Sequence, residues 1–229
     1  MIGVVIPVHN EAALLGECLE AVARAAREPR LDHEPVDVVV VLDGCTDRSA
    51  AVAVRHGAQI VSLDARCVGS ARSLGVSFAL DSGARWIAST DADTIVASDW
   101  LVAQIAAGAD AACGPVWIAD WSAHPFGVRE RFLQHYGTNC ERHIHGANLG
   151  IAATAYRKAG GFLPLRQGED AALIASLVDC GGRVAWNGCP RVTTSARWES
   201  LIEGGFASRL RDLREACLAE LTAGAAVAA

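Results

Sequence analysis

Arg85-Trp86-Ile87-Ala88-Ser89-Thr90-Asp91-Ala92-Asp93 is the stretch on which the reading of the chain turns. A short, mostly apolar run stops at two carboxylates separated by one residue. In extended backbone, side chains at i and i+2 point to the same side, so Asp91 and Asp93 are expected to converge at a strand end. Carboxylates that close repel one another unless a cation or a proton lies between them. Oxygen-only ligands in that position suit a hard divalent metal that also grips phosphate. An Asp-x-Asp pair is common in turns, however, so its meaning rests on what surrounds it.

N-terminal to this stretch, strands and helices alternate. Residues 3–8 read as a buried strand ended by Pro7, which cannot donate to a ladder. Asn10 reads as the N-cap of a helix carrying Leu14, Leu15, Cys18, Leu19 and Val22 at helical spacing. Residues 36–42 form an apolar, β-branched run of the kind a parallel sheet buries on both faces. The turn Asp43-Gly44-Cys45-Thr46-Asp47 follows, then a helix to about residue 56, a strand over 59–62 and a helix over 69–80. Ser98 is expected to cap a helix over 99–107. That rhythm implies an α/β fold, a mostly parallel sheet with helices on both faces. Ligands of such sheets sit beyond the carboxyl ends of the strands. His9-Asn10, Asp43 and Asp91-Ala92-Asp93 all fall there.

The C-terminal half is less regular. A strand is expected over 111–118, a charged helix over 128–136, a strand over 148–152, a short helix around Tyr156, a helix from Gly168 through Val178, a strand over 184–186 and a last helix over 206–221. With no repeat and no clear linker, the 229 residues read as one domain, with a nucleotide-binding half (1–110) and an acceptor-binding, catalytic half (111–229).

Composition excludes several classes. Net charge is −6 and Lys158 is the single lysine, which argues against a nucleic-acid backbone binder. The eight cysteines show no Cys-x-x-Cys pair and read as buried reduced thiols. No apolar run approaches the roughly 20 residues of a membrane span, and the N-terminus lacks a signal-peptide pattern. A soluble, cytoplasmic protein is expected.

The order of motifs resembles glycosyltransferase family 2, inverting enzymes with the type-A glycosyltransferase fold, whose N-terminal half is Rossmann-like. The resemblance runs from Val5-Ile6-Pro7-Val8-His9-Asn10-Glu11 through Leu42-Asp43-Gly44-Cys45-Thr46-Asp47, Gly69-Ser70-Ala71-Arg72-Ser73-Leu74-Gly75 and the Asp-x-Asp. It continues through Gly146-Ala147-Asn148-Leu149-Gly150 and Gly160-Gly161-Phe162 to Gly168-Glu169-Asp170. It implies a nucleotide-diphosphate sugar donor, a small-molecule or lipid-linked acceptor, Mn²⁺ or Mg²⁺ as cofactor, no nucleic-acid partner and a possible homodimer.

The resemblance also assigns residues. Asp93 is the metal ligand, and Asp91, beside Ala92, reaches the ribose or a metal-bound water. Asp170 is the general base, with Glu169 next to it; acidic residues are also favoured in any helix's first turn. Asp43 accepts from the nucleobase ring N–H, or only caps the helix after it. His9 contacts the base, with Pro7 and Glu11 in the same motif. Arg72, near Gly69 at a helix start, neutralises diphosphate or is an ordinary solvated arginine; Arg66 offers the same from its loop. Asn148 and Gly146 line the sugar or acceptor pocket. Arg197 holds diphosphate from a C-terminal loop. His143 and His145 either join the metal or contact the acceptor, and Trp117, Trp121 and Trp198 either wall the acceptor or are core.

The chain departs from the family pattern at Leu42, where an acid is usual, and at Cys67. Thr194 stands where processive synthases carry Gln before Arg197-Trp198. A nucleotidyltransferase is the first rival reading, although the Gly-rich, basic loop after the first strand is missing. A catalytically silent nucleotide-sugar-binding protein is the second.

Overall fold

The computed structural model describes residues 1–137, 142–186, 190–198 and 206–227. Its centre is β1 (Ile2–Val8), whose run of apolar residues is almost wholly buried. It pairs in parallel with β2 (Val36–Asp43) on one side and β4 (Trp86–Ser89) on the other, while β2 pairs in parallel with β3 (Gln59–Leu63). Between these strands run α1 (Leu15–Ala26), α2 (Ser49–Arg55) and α3 (Val68–Asp81). Pairing with β4 stops at Val5, whereas pairing with β2 continues to Val8. Pro7 therefore sits inside the strand, opposite Val41, rather than at its end. It is tolerated where β1 has lost one neighbour and one ladder needs no donor.

After a two-residue β5 (Thr94–Ile95) and α4 (Trp100–Ala106), the expected strand over 111–118 is two strands. β6 (Ala111–Cys113) and β7 (Val116–Ile118) are separated by Gly114-Pro115. Gly114 N donates to Asn148 O at 3.1 Å, and Pro115 has no N–H to carry the ladder on. β8 (Leu149–Ala152) inserts antiparallel between β4 and β6, and β9 (Val184–Ala185) pairs in parallel with β6. The sheet order is β3-β2-β1-β4-β8-β6-β9, an α/β fold whose mixed sheet is mostly parallel. β5 and β10 (Val192–Thr194) pair antiparallel in a small second sheet that also includes β7.

The antiparallel β8 matters most for function. Leu149 lies opposite Ser89, so the turn before it, Gly146–Asn148, is delivered to the carboxyl end of β4. α6 (Ala153–Lys158) and α7 (Glu169–Asp179) follow. α5 (Val128–Gly137) and α8 (Phe206–Val227) belong to a second compact unit. The first unit comprises Met1–Trp117 and Arg142–Thr194; the second comprises Ile118–Glu141 and Ser195–Ala229. The division therefore does not follow the 110/111 boundary, because β6, β8 and β9 complete the N-terminal sheet. The second unit packs Ile118, Phe132 and Leu210 beneath Trp121, Tyr136, Trp198 and Phe206. Among the described residues no helix is long and apolar enough to cross a membrane.

Asn148, wholly buried, staples three segments of the first unit. Its Oδ1 accepts from Trp100 Nε1 at 2.8 Å, and its Nδ2 donates to Pro115 O at 2.9 Å and Pro190 O at 3.0 Å. Every polar atom of the amide is used, so its place is structural and it lines no open pocket. Asn148→Ala leaves a buried indole N–H and two carbonyls without their partner. A loss of about 3 kcal/mol is expected, read as a fall in Tm of roughly 10 °C. Asn148→Asp does not restore it, because a carboxylate facing two carbonyl oxygens has nothing to donate.

Candidate active site

At the carboxyl ends of β1 and β2 the backbone is zipped by side chains. Asn10 does not cap α1, which starts at Leu15; it takes a left-handed conformation (φ 58°). Its Oδ1 accepts from Thr46 N at 2.7 Å and Asp47 N at 3.3 Å. Asp47 accepts in turn from Ala12 N at 2.9 Å, and Glu11 N donates to Ser49 Oγ at 3.0 Å. The Asp43 carboxylate is buried and accepts from three backbone N–H groups, those of Ala65, Arg66 and Cys67, at 2.7–2.8 Å. It holds the loop that enters α3. His9 Nδ1 lies 2.6 Å from Asp43 O. A carbonyl can only accept, so Nδ1 carries a proton and Nε2 is the ring nitrogen left for another partner. A cleft of about 380 Å³ beside this turn is lined by Leu42, Gly44, Thr46, Asp47, Asp64 and Arg66 among others.

The centre of the site is Arg72. Its expected place was against a diphosphate; instead its guanidinium is buried, 2% exposed. Nε donates to Glu169 Oε1 at 3.0 Å, Nη2 to Asp91 Oδ1 at 2.6 Å and Nη1 to Ser89 Oγ. One side chain of α3 thus ties the end of β4 to the first turn of α7. Burial works against the Arg72 charge, and Asp91, Glu169 and Asp170 more than restore it. Burial also pushes the Glu169 carboxyl up, and Arg72 opposes it. Asp91 follows the same logic, with burial and Asp93 pushing up against Arg72, although 40% of its side chain reaches solvent.

The Asp-x-Asp is not extended. β4 stops at Ser89, and Thr94 N donates to Asp91 O at 3.1 Å, closing a turn. The two carboxylates therefore take different partners: Asp91 meets Arg72, and Asp93 Oδ1 accepts from Thr194 Oγ1 of β10 at 3.1 Å. Ala92 between them is buried. Asp93 is partly exposed and offers only oxygen, which fits a hard cation. No group of three or more His, Cys, Asp or Glu forms a complete cage among the described residues. A cation here would complete its shell with donor phosphates and water, as Mg²⁺ commonly does. His143 and His145 are not on a strand; their rings stack with centroids 5.8 Å apart.

Asp170, the second residue of α7, is partly exposed. Its Oδ2 accepts from Gly146 N at 2.7 Å and its Oδ1 from Ala171 N at 2.7 Å. Gly146 also lies against Arg72: a Cβ there would stand 2.5 Å from Nη2. Gly69 is equally confined, since a Cβ would meet Leu163 O at 2.1 Å; it lets the 163–165 backbone close over the start of α3 and is not open to a ligand. Arg197 belongs to the second unit, where its Nε donates to Ser195 Oγ at 3.2 Å. Trp121 and Trp198 are part of that unit's aromatic cluster, and Trp117 carries the Arg191 guanidinium 5.5 Å above its ring. The roles of Ser89 beside Arg72 and of Thr194 beside Asp93 are not legible in the sequence, where Thr194 stands out only as the residue in place of a processive synthase's Gln.

The buried pair at the centre makes a stability prediction. Arg72→Met leaves Glu169 buried without its counter-charge and should cost about 3–5 kcal/mol in urea unfolding. The double variant Arg72→Met/Glu169→Leu removes both charges and should recover most of that loss, because Asp91 can turn to water.

The chain's relatives bear on this geometry. No curated protein matches it. Among solved structures, S. aureus TarS 1–349 in complex with UDP-GlcNAc matches with TM-score 0.66 at 12% identity, over 90% of this chain and 61% of that one. Mannosyltransferase PcManGT from Pyrobaculum calidifontis, in complex with GDP-Man and Mn²⁺, gives 0.57 at 22%, over 90% and 58%. Glucosyl-3-phosphoglycerate synthase from Mycobacterium tuberculosis gives 0.58 at 16%, over 91% and 76%. The chain thus spans about three-fifths of the TarS and PcManGT chains, and these likenesses establish the fold. Residues 3–160 match the Glycosyl transferase family 2 model, more than half of the chain, and the chain belongs to that family.

Proposed function

We propose that this chain transfers one sugar, with inversion, from a nucleoside-diphosphate sugar to a hydroxyl of a small-molecule or lipid-linked acceptor. The observation that carries the reading is the shared guanidinium. Arg72 and Glu169, 97 residues apart in sequence, meet Asp91 at one rim, with Asp170 beside them.

In this reading an Asp170 oxygen takes the proton of the acceptor hydroxyl as that oxygen attacks the anomeric carbon. The bond from that carbon to the diphosphate breaks on the opposite face, and the nucleoside diphosphate leaves. The two backbone N–H groups on Asp170 fix its direction and leave lone pairs on both oxygens to accept the proton. Asp93 is the residue to hold Mn²⁺ or Mg²⁺, with Asp91 next to it; when bound, the ion offsets the charge that develops on the leaving diphosphate. His9 Nε2 accepts from the nucleobase, with the cleft at Gly44, Asp64 and Arg66 beside it. Asp43 acts through the loop it holds. PcManGT, whose structure contains GDP-Man and Mn²⁺, supports a donor and a metal of this class.

A thermal-shift panel of UDP- and GDP-sugars, with and without Mn²⁺, tests the donor site, since a ligand that binds only the folded state raises Tm by mass action. Asp93→Ala should abolish the Mn²⁺-dependent part of the shift; an undiminished shift counts against Asp93 as ligand.

Asp170→Asn should keep the nucleotide shift and lower transfer by about 10²–10⁴-fold. If the unsubstituted chain binds a donor and transfers nothing to water or alcohol, the protein is a silent binder instead.

A further inference from the structure

Resting on the reading above, we propose that Arg72 and Glu169 are its positioning pair: they set Asp91 and Asp170 in place, and Arg72 touches no phosphate. The geometry points three ways. First, the Arg72 guanidinium is buried and its three nitrogens donate in three directions, to Ser89, Asp91 and Glu169. A phosphate ligand needs N–H groups turned toward the donor; here all three nitrogens already donate to the protein's own side chains and the guanidinium is almost wholly out of solvent. Second, Glu169 is itself 4% exposed and ends on Arg72, so the first turn of α7 is anchored one residue before Asp170. Third, Gly146 serves both partners. Its bare Cα lets the chain pass against the guanidinium, and its N–H holds Asp170 Oδ2.

The chain of contacts therefore runs from Ser89 and Asp91 through Arg72 to Glu169 and, across Gly146, to Asp170. A point charge on a flexible stem does not reproduce it. Lysine at position 72 keeps the positive charge and loses the fixed fork that reaches three acceptors at once. The pair is thus expected to control how fast the reaction runs rather than how tightly the diphosphate is held.

The test separates phosphate contact from positioning. Binding of UMP, UDP, GMP and GDP is measured by calorimetry with Mn²⁺ on the full chain and on Arg72→Lys. Release of nucleoside diphosphate from the corresponding sugar nucleotides, with water as acceptor, gives kcat and KM. The monophosphate-to-diphosphate ratio of Kd isolates the β-phosphate contribution in a cycle. Positioning predicts a ratio within about twofold of the parent, together with kcat lower by about a hundredfold at little-changed KM, the scale of an ångström-sized misplacement. Glu169→Gln should give the same pattern, more mildly.

A ratio that shrinks by about tenfold or more, as loss of a charge-assisted phosphate bond demands, overturns the proposal. So does a folded Arg72→Lys with unaltered kcat. Should Arg72→Lys not fold, Arg72→Met/Glu169→Leu takes its place in both measurements. A parent chain that distinguishes neither UDP from UMP nor GDP from GMP overturns the donor-site reading itself, a result separate from either of those.

Discussion

One buried guanidinium organises the rim of this sheet. Without Arg72, Glu169 is an uncompensated charge under α7, Asp91 has only solvent to answer to, and the close pass of Gly146 has no reason to exist. Buried ion pairs are poor sources of net stability, because the desolvation of both partners offsets most of their attraction. They are good sources of geometry. Removing one partner is costly, and few arrangements satisfy all three acceptors. The interaction fits a site where two acidic segments must be held at fixed directions more than it fits a core in need of extra stability.

The topology explains how those segments come together. β4 runs outward to the rim and stops at Ser89; β8 runs back from the same rim, starting opposite Ser89. A parallel strand in that slot would have put its first residue at the far edge. Because β8 is antiparallel, Gly146–Asn148 arrives where the Asp-x-Asp turn begins. Asn148 then fixes that arrival from below through Trp100, Pro115 and Pro190, while Gly146 faces upward to Asp170. Neighbouring residues of one short turn thus split two tasks, holding the scaffold and holding the carboxylate proposed as base.

What was legible in the sequence follows the range of the interactions. Apolar runs and helical spacing are local, and they located β1, β2, α3, α7 and the alternating order that makes the sheet mostly parallel. The break at Gly114-Pro115 was legible in principle and was passed over for the apolar residues around it. Partners far apart in sequence were not legible: Asp43 reads as a ligand of a base, yet it spends its oxygens on Ala65, Arg66 and Cys67. For Arg72 there was a clue. Gly69, Arg72, Val76 and Ala79 recur at helical spacing and all are buried. An arginine within the buried stripe of a helix needs carboxylates inside the protein, and Glu169 is the acid the fold supplies from α7.

Charge balance at the rim leads one step further. Asp91, Glu169 and Asp170 gather around the Arg72 guanidinium, and Asp93 adds its charge next to Asp91. The thiols behind them do not add to the deficit. Burial pushes Cys113 up to about 12, with Asp170 adding to the effect, and burial raises Cys18 as well, so both stay neutral. Cys18 instead donates its S–H to Asp91 O at 3.2 Å. A diphosphate approaching this rim brings more negative charge to a place that already has too much. Arg72 offers it little, because the side chain is buried and its Nε, Nη1 and Nη2 are already engaged by Glu169, Ser89 and Asp91. In the proposed reading a divalent cation enters with the donor, and Asp93, which accepts from Thr194 while Asp91 is engaged by Arg72, is the carboxylate of the pair better placed to meet it.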